Sequence, residues 1–310
     1  MALGTNNVTK TTAAKFIPEI WSDEIIAAYK ENLVAANLFS KMSFKGKKGD
    51  TLHIPKPTRG SASAKAASTQ VTLIAATENE IQVLINKHYE YSRFIEDIVE
   101  TQALSSLRKF YTDDAGHALA KQVDTDLIQL GRTAGSGTAY STANATTNAF
   151  IGSNGTTVYN SSSSNAAALT DAAIRRTIQR LDDADVPMTD RLMIVPPTTR
   201  NTLMGIARFT EQSFVGEQGS ANTIRNGLIG DVYGVKVYVT TNADNGAGSS
   251  GADRICLMAH KDAFCLAEQM GVRSQTQYKQ EWLATLFTSD MLYGVAELRD
   301  SSAVALAVPA

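Results

Sequence analysis

Apolar residues near the start of the chain fall at helical spacing, at Ile25, Ile26, Tyr29, Leu33 and Val34, and this predicts a helix from about Pro18 to Asn37. Met1 to Lys15 before it is polar and Thr-rich and reads as an arm. The period then shortens to two. Three extended pieces are predicted: one around TLHIPKP, one at Gln70 to Ile74, and one in EIQVLINKHYEYSRF, where Ile81, Val83 and Ile85 alternate with polar residues. Pro55 and Pro57 confine the first piece to an edge or ribbon. From about Glu96 to Leu130 the helical period returns without a proline, carried by Ile98, Leu104, Leu107, Tyr111, Ala115, Leu119, Val123 and Leu127. Glu96, Asp97 and Glu100 stand at its start, where the helix dipole favours acids, and Gly131 and Arg132 suit its end. Such a rod would be on the order of 50 Å long, so it needs neighbours along its length.

Gly131 to Asn165 is rich in Gly, Ser, Thr and Asn and is expected to be a loop or weak hairpin, a flexible insertion. An α/β pattern follows. Thr170 is placed to cap a helix whose buried face is Ile174, Ile178 and Leu181, with Leu169 and Ile174 as a hydrophobic staple. RLMIV, Arg191 to Val195, reads as a buried strand, and Pro197 opens a short helix carrying Leu203. LIGDVYGVKVYVTTN alternates through Val235, Val237 and Val239, and Gly230 and Gly234 give its turn tight backbone geometry. ADRICLMAH is a further strand, KDAFCLAEQ a strand or short helix, and VRSQTQYK is extended. EWLATLFTSDMLYG reads as a helix with Phe287 to Tyr293 in the core, and GVAELRDSSAVALAV closes the chain as strand.

A chain of 310 residues that is 43% hydrophobic can bury one large core or two ordinary ones. Basic residues number 29 against 31 acidic, so there is no general basic surface to grip DNA, and little self-repulsion opposes association. The charge is uneven, however. KGKKGDTLHIPKPTRGSASAK sets Lys45, Lys47, Lys48, Lys56, Arg59 and Lys65 against Asp50 alone, which by itself reads as the solvated face of a protruding β-arm. Cys256 and Cys265 lie in apolar runs and read as small buried hydrophobes, with no disulfide framework. The N-terminus lacks the apolar core of a signal peptide, and no apolar run is long enough to span a bilayer.

The chemical motifs fail their context tests. GAGSSG, Gly246 to Gly251, matches G-x-G-x-x-G, but a strand rather than a helix follows it, so it reads as a hairpin loop. GKKGDT lacks the spacing of a P-loop. His53, His88, His117 and His260 are far apart and have no metal-ligand spacing. The acids Asp113–Asp114, Asp124/Asp126 and Asp182–Asp183/Asp185 read as solvated helix faces. The last three sit near a helix end that disfavours them, and a salt bridge to another subunit would account for that. Neither cofactor nor metal is implied.

The order of these parts resembles the major capsid (coat) protein of tailed bacteriophages, with the Hong Kong ninety-seven-type capsid fold in its podovirus-like form. KGKKGDTLHIPKPTRG stands at the family's extended loop, and EIQVLINKHYEYSRFIEDIVE leads into its spine helix. LIGDVYGVKVYVTTN and MLYGVAELRDSSAVALAV resemble strands of the central domain and the return through the peripheral domain. The resemblance implies an α+β fold: an N-terminal arm and helix (1–43), an extended β-loop (44–89), and a peripheral domain with the spine helix (90–130 and 270–310). A flexible insertion (131–164) and an α/β axial domain (165–269) complete it. It implies a virion shell protein, not an enzyme, that self-assembles as hexamers and pentamers in the host cytoplasm and encloses double-stranded DNA by weak, non-specific contact. A separate scaffolding protein or a scaffolding segment already removed from the chain, a portal and a decoration protein are the further partners, and no membrane is involved. The expected intersubunit contacts set Lys45, Lys47, Lys48, Lys56, Arg59 and Lys65 against a neighbour's Glu96, Asp97 and Glu100. Some relatives weld a loop Lys to a neighbour's Asn, but Met270 to Ala310 contains no asparagine, so no covalent mesh of that kind is expected. The other readings weighed are a cellular shell of the same fold with a protein cargo, and a small α/β enzyme with an unrecognised site.

Overall fold

The computed structural model describes residues 34–46, 48–57, 60–71, 73, 78–97, 107–132, 149–160, 163–206, 230–244 and 253–310. Its strands are β1 (Ser40–Ser43), β2 (Thr51–Pro57), β3 (Glu78–Leu84), β4 (Lys87–Glu96), β5 (Ala149–Ile151), β6 (Arg191–Val195), β7 (Asp231–Val232), β8 (Val235–Val239), β9 (Asp253–His260), β10 (Phe264–Lys279), β11 (Ala284–Glu297) and β12 (Ala303–Pro309). Its helices are α1 (Ala35–Leu38), α2 (Leu107–Gln129), α3 (Asp171–Asp183) and α4 (Pro197–Met204). They build a six-stranded mixed sheet, β5-β12-β9-β6-β8-β7, a four-stranded sheet, β1-β10-β11-β4, and a separate two-stranded ribbon, β2-β3.

The six-stranded sheet is covered on both faces, which explains why β6 is buried throughout and apolar from Leu192 to Val195. Met193 and Val195 of β6 and Cys256 and Met258 of β9 meet Ile174 and Leu181 of α3 and Leu203 of α4. Leu192, Ile194, Leu257 and Ala259 point the other way, onto Leu119, Val123, Leu127 and Ile128 of α2. The same face of α2 takes Phe264 and Leu266 of β10 and Met291 and Tyr293 of β11, so one long helix joins the two sheets through one core. Thr170 caps α3 as its sequence predicts, its hydroxyl accepting from the Ala173 N–H.

Acids on α2 complete the junction from inside. The solvated reading of Asp124 and Asp126 is wrong: both are buried. Asp124 accepts from the Ala35 N–H at 2.6 Å and from Asn242 Nδ2 at 3.1 Å. Asp126 accepts from the Tyr293 hydroxyl at 2.6 Å and meets Lys87 Nζ at 3.1 Å. Burial, and then the Asp126 carboxylate, push the Tyr293 hydroxyl far above its ordinary range, so it remains a donor. Asp182 also differs from expectation. Its partner is Arg191 of the same chain, at 2.7 Å, and no second subunit is required.

Three further expectations need correction. EWLATLFTSDMLYG is not a helix: from Ala284 it is β11, and its spacing of Leu286, Phe287 and Met291 served a strand that packs on different neighbours on its two faces. Glu96 ends β4, opposite Ala284, and Asp97 beside it is helical, one residue past the predicted start. The flexible insertion expected at 131–164 is folded from Ala149, where β5 pairs with β12 and Tyr159 is fully buried, donating to Asp253 at 2.7 Å. Ala303–Pro309, grouped by sequence with the peripheral elements, runs inside the six-stranded sheet between β9 and β5. The turn of GDVYG uses Tyr233 and Gly234, both at positive φ, as the two central residues between paired Val232 and Val235. Gly230 takes no such conformation. Of the helix predicted from Pro18, the part before Val34 lies outside the described residues, as does the GAGSSG loop.

Candidate assembly surface

The basic segment forms an arm with a firm root and an exposed end. β2 and β3 pair in antiparallel register from Thr51 opposite Leu84 to Pro57 opposite Glu78. At the root, Phe44, Val83 and Ile85 pack on Cys265 and Ala267 of β10, on the sheet face opposite α2. Gly294 of β11 lets the arm cross at contact distance: a Cβ there would lie 2.2 Å from the Leu84 carbonyl oxygen. Outward, burial ends. Every described residue from 60 to 73 is exposed, Leu73 to 90%. A two-stranded ribbon buries too little to stand alone in water. Within it His53 Nδ1 meets Glu80 at 2.9 Å; Gln82 first, then His53, hold the Glu80 carboxyl below its usual range.

The expected contact residues divide as follows. Lys48, Lys56 and Lys65 are exposed. Lys45, at the root, is joined to Glu268 of its own chain at 3.3 Å. Glu96 is exposed at the far end of β4, and Asp97 beside it accepts from the Tyr278 hydroxyl at 2.7 Å. Lys47, Arg59 and Glu100 lie outside the described residues. The basic and acidic groups therefore stand on two different projections, the arm and the distal end of the four-stranded sheet.

That distal end carries what the sequence reading missed. Trp282 and Leu283, in the turn between β10 and β11, are 70% and 65% exposed, and Phe94 of β4 is 57% exposed. The Phe94 and Trp282 rings lie 6.3 Å apart. The signal was the isolated EWL after the polar run VRSQTQYKQ, which a helical reading absorbed into a core. Behind the tip, Asp290 of β11 accepts two bonds from Arg273, at 2.8 and 3.0 Å, and one contact from His88 at 3.1 Å, clamping β10, β11 and β4 together. Arg273 chiefly, with His88, holds the Asp290 carboxyl below its usual range.

Among the described residues no group of three or more His, Cys, Asp or Glu is placed to hold a metal. Burial pushes the Cys256 thiol up to about 12 and the Cys265 thiol up to about 11, which disfavours the thiolate at neutral pH. A cavity of about 510 Å³ beside α4 is lined by Leu169, Pro197, Thr199 and Val308, without a titratable side chain. Another of about 350 Å³ at the arm root is lined by Leu84, Lys87 and Asp126; Lys87 pairs with Asp126, which also accepts from Tyr293.

An arm and an apolar tip, both projecting from a doubly covered α/β core, are features of a subunit that is completed by its neighbours. The phage capsid protein family matches residues 34–307. This chain belongs to that family. Its fold is the Hong Kong ninety-seven-type capsid fold expected from the sequence. Three solved structures illustrate it. One from Mycobacterium phage Che8 is 22% identical, covers 98% of each chain and has a TM-score of 0.75. The capsid of cyanophage P-SCSP1u is 19% identical over 99% of this chain and 96% of that one, with a TM-score of 0.75. The capsid of cyanophage Pam1 is 14% identical over 99% of both chains, with a TM-score of 0.71. No curated protein matches this chain. The capsid protein thus shares its architecture with chains of very different sequence, which is expected where the fold rests on burial pattern more than on any one side chain.

Proposed function

We propose that this capsid protein is the major shell subunit of a tailed-phage head and that its shell encloses double-stranded DNA. The chain is a major capsid protein of the phage head. The observation that carries the finer reading is the arm, a ribbon rooted in its own core but exposed along its outer half. A neighbouring subunit beneath it supplies the burial that one chain lacks, and heterologous contacts of this kind close into rings and then into a shell. In this reading the six-stranded unit is the axial domain around the five- and six-fold axes. The helix α2 and the four-stranded sheet form the peripheral domain.

Assembly takes the place of catalysis. Its free energy is the sum of many modest interfaces over a lattice. Lys48, Lys56, Arg59 and Lys65 of one arm face acids of the next subunit, Glu96 and Asp97 among them. DNA contact is weak and non-specific, in keeping with a net charge of -2. A separate scaffolding protein, a portal and a decoration protein complete the particle, which assembles in the host cytoplasm. Nuclease treatment of purified particles tests the contents. The DNA should survive intact inside the shell and become digestible only after the shell is opened. Particles whose protected content is protein would contradict the reading.

A further inference from the structure

A polar cavity lies where α2 meets the turn after β8 and the start of β9. Its volume is about 250 Å³, and its wall includes Lys121, Thr125 and Gln129 of α2, Thr241 and Asn242 of the turn, and Arg254 of β9. Cationic, amide and hydroxyl donors around one space suit an anion with several acceptor oxygens. We propose that this cavity takes a phosphate group, bound by Lys121 and Arg254 together with the Gln129 amide and the Thr241 hydroxyl. The inference goes beyond the shell reading and stands on the single chain.

Charge and geometry carry it. Two acids lie close, and both are engaged. Asp244, also in the wall, accepts from Arg132 Nε and Nη2 at 2.8 Å each, a two-point pair that neutralises it. Asp124 is fully buried, is not part of the wall, and accepts from the Ala35 N–H and Asn242 Nδ2. The three cations, Lys121, Arg132 and Arg254, outweigh these two acids and the roughly half negative charge at the end of α2. Arg254 commits Nη1 to the Ala243 carbonyl at 3.2 Å, which fixes its guanidinium and leaves Nε and Nη2 as donors. The wall is also built in advance. Asn242 locks the turn to α2, since its Nδ2 donates to Asp124 at 3.1 Å and its Oδ1 accepts from Thr125 Oγ1 at 3.1 Å. Its own N–H donates to Thr240 Oγ1 at 3.1 Å. A site held in this way loses little ordering entropy when it binds. Free inorganic phosphate and the backbone of DNA present the same group to it.

Phosphorus NMR of inorganic phosphate, with the full-length chain added, tests the site directly. Wild type should broaden the phosphate line. Sulfate should restore it, and chloride at equal ionic strength should not. R254Q and K121Q should each weaken phosphate binding about tenfold. R254K, which keeps the charge but loses the planar fork, should fall between. Circular dichroism and melting in chloride check that each variant is folded; should R254Q not fold, K121Q and R254K carry the test. Melting in phosphate alone is no substitute, because phosphate stabilises proteins generally by exclusion from their surface. No broadening by wild type, or equal broadening by wild type, R254Q and K121Q, would overturn the inference. If the variants melt lower in chloride but bind phosphate as wild type does, the two cations serve only the end of α2, and the site falls. A short DNA duplex, added to wild type and phosphate, separates the sources. Release of the phosphate line would assign the site to a backbone phosphate. No release would assign it to the free anion, and the site stands in both cases.

Discussion

Asp124 shows how much depends on one side chain. It ties α2 to the N-terminal segment through Ala35 and to the turn after β8 through Asn242. Asp124→Ala should therefore cost about 2–3 kcal/mol of unfolding free energy, because one buried and one half-buried donor lose their acceptor. Denaturant unfolding of the isolated subunit measures this, and a loss under about 0.5 kcal/mol would place the group in water after all. Gly294→Ala should be comparably harmful, by roughly 1–3 kcal/mol, since its Cβ would enter the Leu84 carbonyl and the arm root would have to move. Asp290 sets a pH dependence. Its carboxyl is held below the usual range, so its pairing stabilises the sheet fully above the ordinary carboxylate pKa, and that contribution is lost as pH falls through the lowered value. Unfolding measured from pH 7 down to pH 2 should show wild type losing more stability in the acid limb than Asp290→Asn. Parallel curves would remove Asp290 as a source of acid sensitivity.

The elements differ in how well their sequence announced them. β6, α3 and α4 were readable, because a strand covered on both faces reads as an unbroken apolar run, here Leu192 to Val195, and Thr170 and Pro197 mark helix starts locally. The arm was readable from Pro55, Pro57 and the alternation at Ile81 and Val83. β11 was not, because its residues serve two cores: Phe287, Met291 and Tyr293 are buried, Leu292 faces the arm root, and the sum imitates helical spacing. Nor was the buried state of Asp124 and Asp126, since only the approach of Asn242 and Tyr293 from distant sequence makes burial affordable. The exposed tip escaped for the same reason, as exposure of Trp282 depends on a turn that the helical reading had erased. The arm's role is testable as an element. Reversing its charge with K56E and R59E should leave circular dichroism and melting of the subunit unchanged while shells fail to form. Normal shells from this variant would show that arm charge is dispensable.

The whole molecule is a core with projections. One helix fuses two sheets into a stable body, while the arm and the tip carry exposed apolar and charged groups outward. That division suits a subunit whose stability is internal and whose function is a shape repeated around a shell. Since 270–310 offers no asparagine for a Lys–Asn weld, the shells should fall apart to monomer in hot detergent, and covalent multimers from unmodified chain would contradict this. The most direct measurement is electron microscopy of particles carrying this chain, at a resolution that traces residues 51–84 in every subunit. Closed icosahedral shells should appear, with each arm lying across a neighbouring subunit. Only small open oligomers, with or without a scaffolding partner, or shells in which each arm folds back on its own chain, would contradict the assembly reading.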